Sequence, residues 1–186
     1  MAIQAVTVNL PDSVYERLAR RAERAHRTME AELVDTASIL PEDADELLPV
    51  LCSLFLTDRS LLVRGYAGAA IGAIGEAADW IKLLELGVGR DRSPWVRAFV
   101  HVALARRGVA KAFDSLLSAL DGRDYHVRCV VANAIVEVCP DARLLEVEGV
   151  LRRRLDREKT RAVSSTIRKA LEGLASRRTI VAQRNR

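Results

Sequence analysis

Aromatic side chains are scarce in this chain: Phe, Trp and Tyr make up 4% of its 186 residues, although 49% are apolar. The apolar content is mostly Ala, Leu and Val, the composition of helices packed side by side, and it is ample for a real core. Long apolar runs are missing too. The longest, "LLPVLCSLFL" at 47–56, is about half of the ~20 residues a membrane-spanning helix needs. No basic-then-apolar signal pattern opens the chain, so a cytoplasmic protein without a membrane partner is expected. Cysteine is sparse: Cys52, Cys129 and Cys139 lie far apart, form no CxxC pair and fall in or beside apolar helical stretches, which fits buried thiols. His126 and Cys129 in "HVRC" could share a helix face, but two ligands are too few for a metal. No nucleophile, acid–base pair or cofactor motif stands out, and the expectation is a protein that is not an enzyme and binds no cofactor.

Acidic charge is nearly absent from one end. Residues 1–40 hold 5 basic and 6 acidic groups, residues 41–149 hold 12 and 16, and residues 150–186 hold 12 and 3. The net +4 is therefore concentrated at the C-terminal end, in "LRRRLDREKTR" and in "SRRTIVAQRNR". Such an end suits nucleic acid, an acidic protein surface or solubility alone. Residues 176–186 read as a basic tail with no apolar period.

What is present is an internal repeat. "LVRGYAGAAIGAIG" from Leu62, "WVRAFVHVALARRG" from Trp95 and "HVRCVVANAIVEVC" from His126 superimpose without gaps. Each has Val-Arg, an apolar or small residue four after the Val, and Ala-aliphatic seven and eight after it. The arginines are Arg64, Arg97 and Arg128; a further 33 residues reaches Arg161 in "TRAVSSTIRKAL", which reads as a degenerate terminal copy with Thr160 in place of Val. An aspartate-bearing turn precedes each copy, with Asp58, Asp91, Asp121 and Asp124, then Asp156. Ahead of each turn lies another amphipathic stretch, near 45–56, 78–89, 110–120 and 142–155. The unit is helix, short turn, helix.

This pattern over 45–175 resembles HEAT repeats, particularly the short type of phycobilin lyases and bacterial scaffolds. The resemblance implies an all-α fold, a HEAT-repeat α-solenoid of about four helix pairs over 41–175. It also implies that Asp58, Arg64, Asp91, Arg97, Asp124, Arg128, Asp156 and Arg161 form a structural ladder rather than an active site. Second helices usually line the concave side of such arrays. There Tyr66, Phe99 and Val130, with Val163 and the later Arg106, either form a stripe for a protein partner or belong to the inter-repeat core.

The first forty residues lie outside the repeat. In "AVTVNLP" Val6, Val8 and Leu10 alternate with Ala5, Thr7 and Asn9, the period of a strand with one apolar face. Pro11 opens a helix with a stripe of Val14, Leu18, Ala22 and Ala25, "HRT" breaks it, and Thr28 caps a further helix. "TVNLPDSVYERL" and "RTMEAELV" resemble the ribbon-helix-helix family of DNA-binding proteins, and the latter is similar to a segment of its antitoxin-type members. The resemblance implies a β-strand-helix-helix dimerisation segment at 1–40 whose strand pairs with its copy from another chain, making a homodimer. It further implies that Ala5, Thr7 and Asn9 face bases in the major groove and that Thr28 holds a phosphate. Asn can bond adenine through N6 and N7, and a Thr methyl can touch thymine. Arg177 and Arg178 of the basic end would then grip flanking phosphates of an operator-type duplex. The alternative is an interaction scaffold or immunity-type protein in which this segment only dimerises; a HEAT-type lyase or glycosylase is the remaining class.

Overall fold

The computed structural model describes residues 44–74 and 78–184, together with Glu16, Arg20 and Glu23. The strand expected at 5–10, and with it Ala5, Thr7, Asn9 and Thr28, lies outside the described residues. Among those described, the chain is all-helical: α1 (Ala44–Thr57), α2 (Leu61–Ile74), α3 (Ala78–Arg90), α4 (Pro94–Arg106), α5 (Ala110–Ala119), α6 (Tyr125–Val138), α7 (Leu144–Arg157) and α8 (Arg161–Arg184). A 3-10 turn at Asp141–Arg143 leads into α7. The chain divides into two compact units, Met1–Ala103 and Leu104–Arg186.

In unit 1, α1 packs along α2, and α2 packs on α3. Leu48, Leu51, Leu54, Phe55, Ile71, Leu84, Val96 and Val100 are buried there. The glycines of α2 explain how little bulk this core needs. A Cβ on Gly68 would stand 2.6 Å from Val100 Cγ2, and one on Gly65 or Gly72 would run into Trp95 or Ala103 respectively. Bare backbone at these three places lets α2 lie close against α4. The helix propensity given up by glycine, about 1 kcal/mol each, is offset by that contact.

In unit 2, α5 packs on α6, and α8 lies along both α6 and α7. Phe113, Leu116, Leu120, Val131, Ile135, Val147, Leu151, Val163, Ile167 and Leu174 make the core. The end of α4 turns through Gly108, at φ 78°, where the Gly108 amide donates to the Ala105 carbonyl and the Val109 amide to the Leu104 carbonyl. This paired closure needs a left-handed residue, the conformation glycine adopts without a steric penalty.

The four helix pairs share a cap as well as a period. Ser60, Ser93, Asp124 and Thr160 each stand immediately before the later helix of a pair. Counted from that cap, the valine three residues on is Val63, Val96, Val127 and Val163. The fourth copy therefore sits three residues later than the Arg spacing implies. It is no longer degenerate: Val163, Ile167 and Ala170 fill the places of Val127, Val131 and Ala134, with Ser164, not Arg161, in the arginine place. Val163 is fully buried, so it belongs to the core and leaves the proposed stripe. α8 then runs unbroken to Arg184, and the residues expected to be a tail are, as far as Arg184, its last turns.

Gly72→Ala pits these effects against each other. Alanine gains roughly 1 kcal/mol of helix propensity, but its methyl meets the Cβ and the backbone of Ala103, and overpacking costs about 1–3 kcal/mol. The melting temperature should fall, whereas Gly89→Ala, with nothing within 4 Å, should leave it unchanged or raised.

Candidate functional site

Two arginines tie consecutive helix pairs together, one within each unit. Arg64 donates from Nε to Asp91 Oδ2 at 2.6 Å and from Nη2 to Oδ1 at 3.3 Å, while Nη1 reaches the carbonyls of Asp58 at 2.9 Å and Arg59 at 3.2 Å. Arg128 repeats this in unit 2. Its Nε donates to Glu158 Oε2 at 2.8 Å and its Nη2 to Oε1 at 3.0 Å, with Nη1 on the carbonyls of Gly122 at 2.8 Å and Arg123 at 2.9 Å. Bidentate geometry, with Nη1 shared between two carbonyls, is what makes so buried a pair tolerable.

The acid of each rung also organises a cap. Asp91 accepts from the Ser93 amide at 2.8 Å and Glu158 from the Thr160 amide at 2.8 Å, as Asp58 does from Ser60 at 2.7 Å. All three stand two residues before their cap. In the third pair that place is Gly122, and the cap Asp124 itself accepts from the His126 amide at 2.9 Å. Arg97 therefore has no carboxylate in this frame; it is exposed and makes no ion pair among the described residues of its unit. The rung acid of the fourth pair is Glu158, which corrects the assignment of Asp156; Asp156 and Arg161 are both exposed.

Burial works against the Asp91 carboxylate, but the hydrogen bonds from Arg64 and the Ser93 amide, with the charges of Arg64 and Arg97, outweigh it and hold the group below its ordinary range. Glu158 is held further down, to about 2, because Arg128, the Thr160 amide and Arg154 overcome its burial.

The residues considered for a protein partner divide in the same way. In unit 1, Tyr66 is 39% exposed and meets Phe99 edge-on with ring centroids 5.3 Å apart. Trp95 completes the cluster, 5.6 Å from Tyr66 and 4.2 Å from Phe99. The repeat pattern does not single out Trp95, because it stands at the start of a copy, ahead of the Val-Arg pair. Its cap-plus-two position, shared with the exposed Leu62, is the signal that could have found it. In unit 2, Val130 is half-buried, and Arg106 is engaged by Glu137 through two bonds of 2.7 and 2.8 Å.

The basic end is partly consumed inside unit 2. Arg177 donates to the Val136 carbonyl at 2.8 Å and to Asp141 at 2.7 Å, and Arg178 stands 3.5 Å from the buried Glu148. Arg177 thus ties α8 to α6 and to the turn before α7, while Arg178 remains exposed beside Glu148. Burial pushes the Cys139 thiol up to about 11 and raises that of Cys52, which leaves both as protonated packing groups at neutral pH. Among the described residues no three His, Cys, Asp or Glu side chains converge on a metal-sized site, and no helix is long and apolar enough to cross a membrane.

The family described as antitoxin FitA-like, ribbon-helix-helix, matches residues 5–36 of this chain. No curated protein and no solved structure matches. Residues 5–36 are the segment whose strand-helix-helix pattern carries the sequence resemblance, so that segment is similar to an antitoxin-type ribbon-helix-helix domain.

The frame makes Arg128 and Arg97 opposite controls. Arg128→Ala should cost about 3–5 kcal/mol by stranding a buried carboxylate, and Arg97→Ala should stay within about 0.5 kcal/mol, both read from chemical denaturation. The rung also fixes an acid limit. Because the folded Glu158 value, about 2, lies below its ordinary 4.5, its contribution is complete above 4.5 and lost as pH falls toward 2, on the order of 3 kcal/mol in all. Glu158→Gln should flatten that part of the stability–pH curve.

Proposed function

We propose that the protein is a homodimeric DNA-binding regulator of the antitoxin type, in which residues 5–10 of two chains pair as a ribbon and a HEAT-like array of four helix pairs replaces a short partner-binding tail. The family match over residues 5–36 carries this reading. A strand of six residues cannot satisfy its own backbone, and a segment of about 40 residues is too small to fold around a core of its own, so another copy of the chain supplies what is missing. Thr7 and Asn9 then present neutral base-reading groups in the groove, with Ala5 at the ribbon edge and Thr28 at the phosphate-facing start of the helix it caps.

The helical part is read as the protein-binding half. Tyr66, exposed beside Phe99 and Trp95, is the observation that favours it. An aromatic cluster at the surface, with exposed Leu62 one turn earlier on α2, is what an apolar partner segment would cover. If the ribbon serves dimerisation alone, this face becomes the working surface of an interaction scaffold.

Gel-shift selection from genomic fragments tests the DNA-binding reading. Asn9→Ala should relax sequence preference by about 1–3 kcal/mol per lost contact while leaving the salt dependence of binding nearly unchanged. Undiminished selectivity in that variant would remove the ribbon from base recognition.

A further inference from the structure

The ribbon segment, residues 1–40, carries net charge −1, and neutral Thr7 and Asn9 release no counterions, so a DNA-binding reading needs cations elsewhere. The turns inside the helix pairs hold them. At the place immediately before the cap, all four pairs carry a cation: Arg59, Arg92, Arg123 and Lys159. All four are exposed, and none of their side chains makes an ion pair or hydrogen bond among the described residues. The acids of the same turns do the opposite. Asp91 and Glu158 are 8% and 1% exposed, turned inward onto Arg64 and Arg128.

The rung itself creates this separation. Arg64 binds the carbonyl of Arg59 on one side and the carboxylate next to Arg92 on the other, and Arg128 does the same between Arg123 and Lys159. Each rung therefore fixes two turns, with one carboxylate used up underneath and the cations beside it left outside. In unit 1, exposed Arg90 and Arg97 add to the cations, and Arg64, Arg90, Arg92, Asp58 and Asp91 share with the apolar Phe55 and Leu56 the lining of a groove of about 430 Å³. Of its two carboxylates Asp91 is spent in the rung, and Asp58 is half-buried with an oxygen on the Ser60 amide. In unit 2 the edge is weaker, because Asp121, Asp124 and Asp156 are exposed near Arg123 and Lys159 in the sequence.

The geometry points to these turn edges, that of unit 1 above all, as the surface that binds the phosphate backbone of duplex DNA. In unit 1 the cations lack fully exposed counter-charges, which suits a polyanion, and guanidinium groups match phosphate oxygens. The inference rests on the DNA-binding reading and deepens it, assigning bulk affinity to the helical units and base selection to the ribbon. It gives that role to the turns rather than to Arg177, which is bound to Val136 and Asp141, and Arg178, which stands beside Glu148.

The test uses the full chain and a fluorescent random-sequence duplex of about 30 base pairs, titrated across salt. Arg59→Gln/Arg92→Gln should weaken binding and flatten the log–log salt plot by about two units, with unchanged helicity and melting temperature. Arg123→Gln/Lys159→Gln should have a smaller effect. Arg168→Gln/Lys169→Gln removes the same charge from the exposed face of α8 and should change the slope least. Equal slopes for the turn variants and the wild type would overturn the proposal, as would a loss no larger than in the α8 control. The ribbon reading fails separately. A chain that prefers no selected genomic fragment over random duplex, yet loses slope in the unit 1 variant, keeps the phosphate edge and discards the ribbon reader. A wild-type chain that binds no duplex at all discards both.

Discussion

The fold of each described unit depends on a guanidinium that cannot be satisfied locally. Arg64 and Arg128 leave their own helices with donors that two turn carbonyls only partly fill, and the rest must come from a carboxylate 27 or 30 residues further along the chain. A buried pair of this kind contributes little net stability compared with apolar packing of equal volume. Its effect is on specificity. Any register that moves the acid away strands a charge in the core, so the next helix pair is held to one placement. The same carboxylate then accepts the amide of the cap residue and starts the following helix, which links tertiary pairing to local structure in a single group.

That arrangement has an electrostatic consequence. The turn sequences hold nearly equal numbers of acids and bases, and by composition alone they should be neutral. Folding sorts them: the rung acids turn inward, while the cations beside them remain in water. A chain with only a small net positive charge thereby presents, in unit 1, an edge far more basic than its average. The aromatic face of unit 1, with Tyr66 against Phe99 and Trp95, is built from positions of α2 and α4 distinct from the turn residues. One unit can therefore offer an apolar surface and a cationic edge without the two competing for the same side chains.

Much of the architecture was legible in the sequence because it is periodic. Val-Arg followed by Ala-aliphatic marks a helix face, and a Ser, Thr or Asp cap marks where that helix begins; both are local signals that need no partner. The N-terminal segment was legible for a related reason, since a six-residue alternation followed by two helical stripes is a short pattern with few solutions. The fourth copy misleads when it is aligned by its arginine. Arg161 falls near the expected spacing, while the cap Thr160 and the buried Val163 carry the true register.

The sequence by itself thus determined the helix pairs, the distinct opening segment and the accumulation of basic residues toward the C-terminal end. Only the tertiary structure decided which acid meets which arginine, because Asp156 and Glu158 lie two residues apart and only backbone placement chooses between them. It also decided that Arg177 is bound to Val136 and Asp141 while Arg59 and Arg92 remain in solvent. Charge type is written residue by residue. Whether a charge is neutralised depends on what the fold brings within about 3 Å of it, across separations that no local pattern encodes.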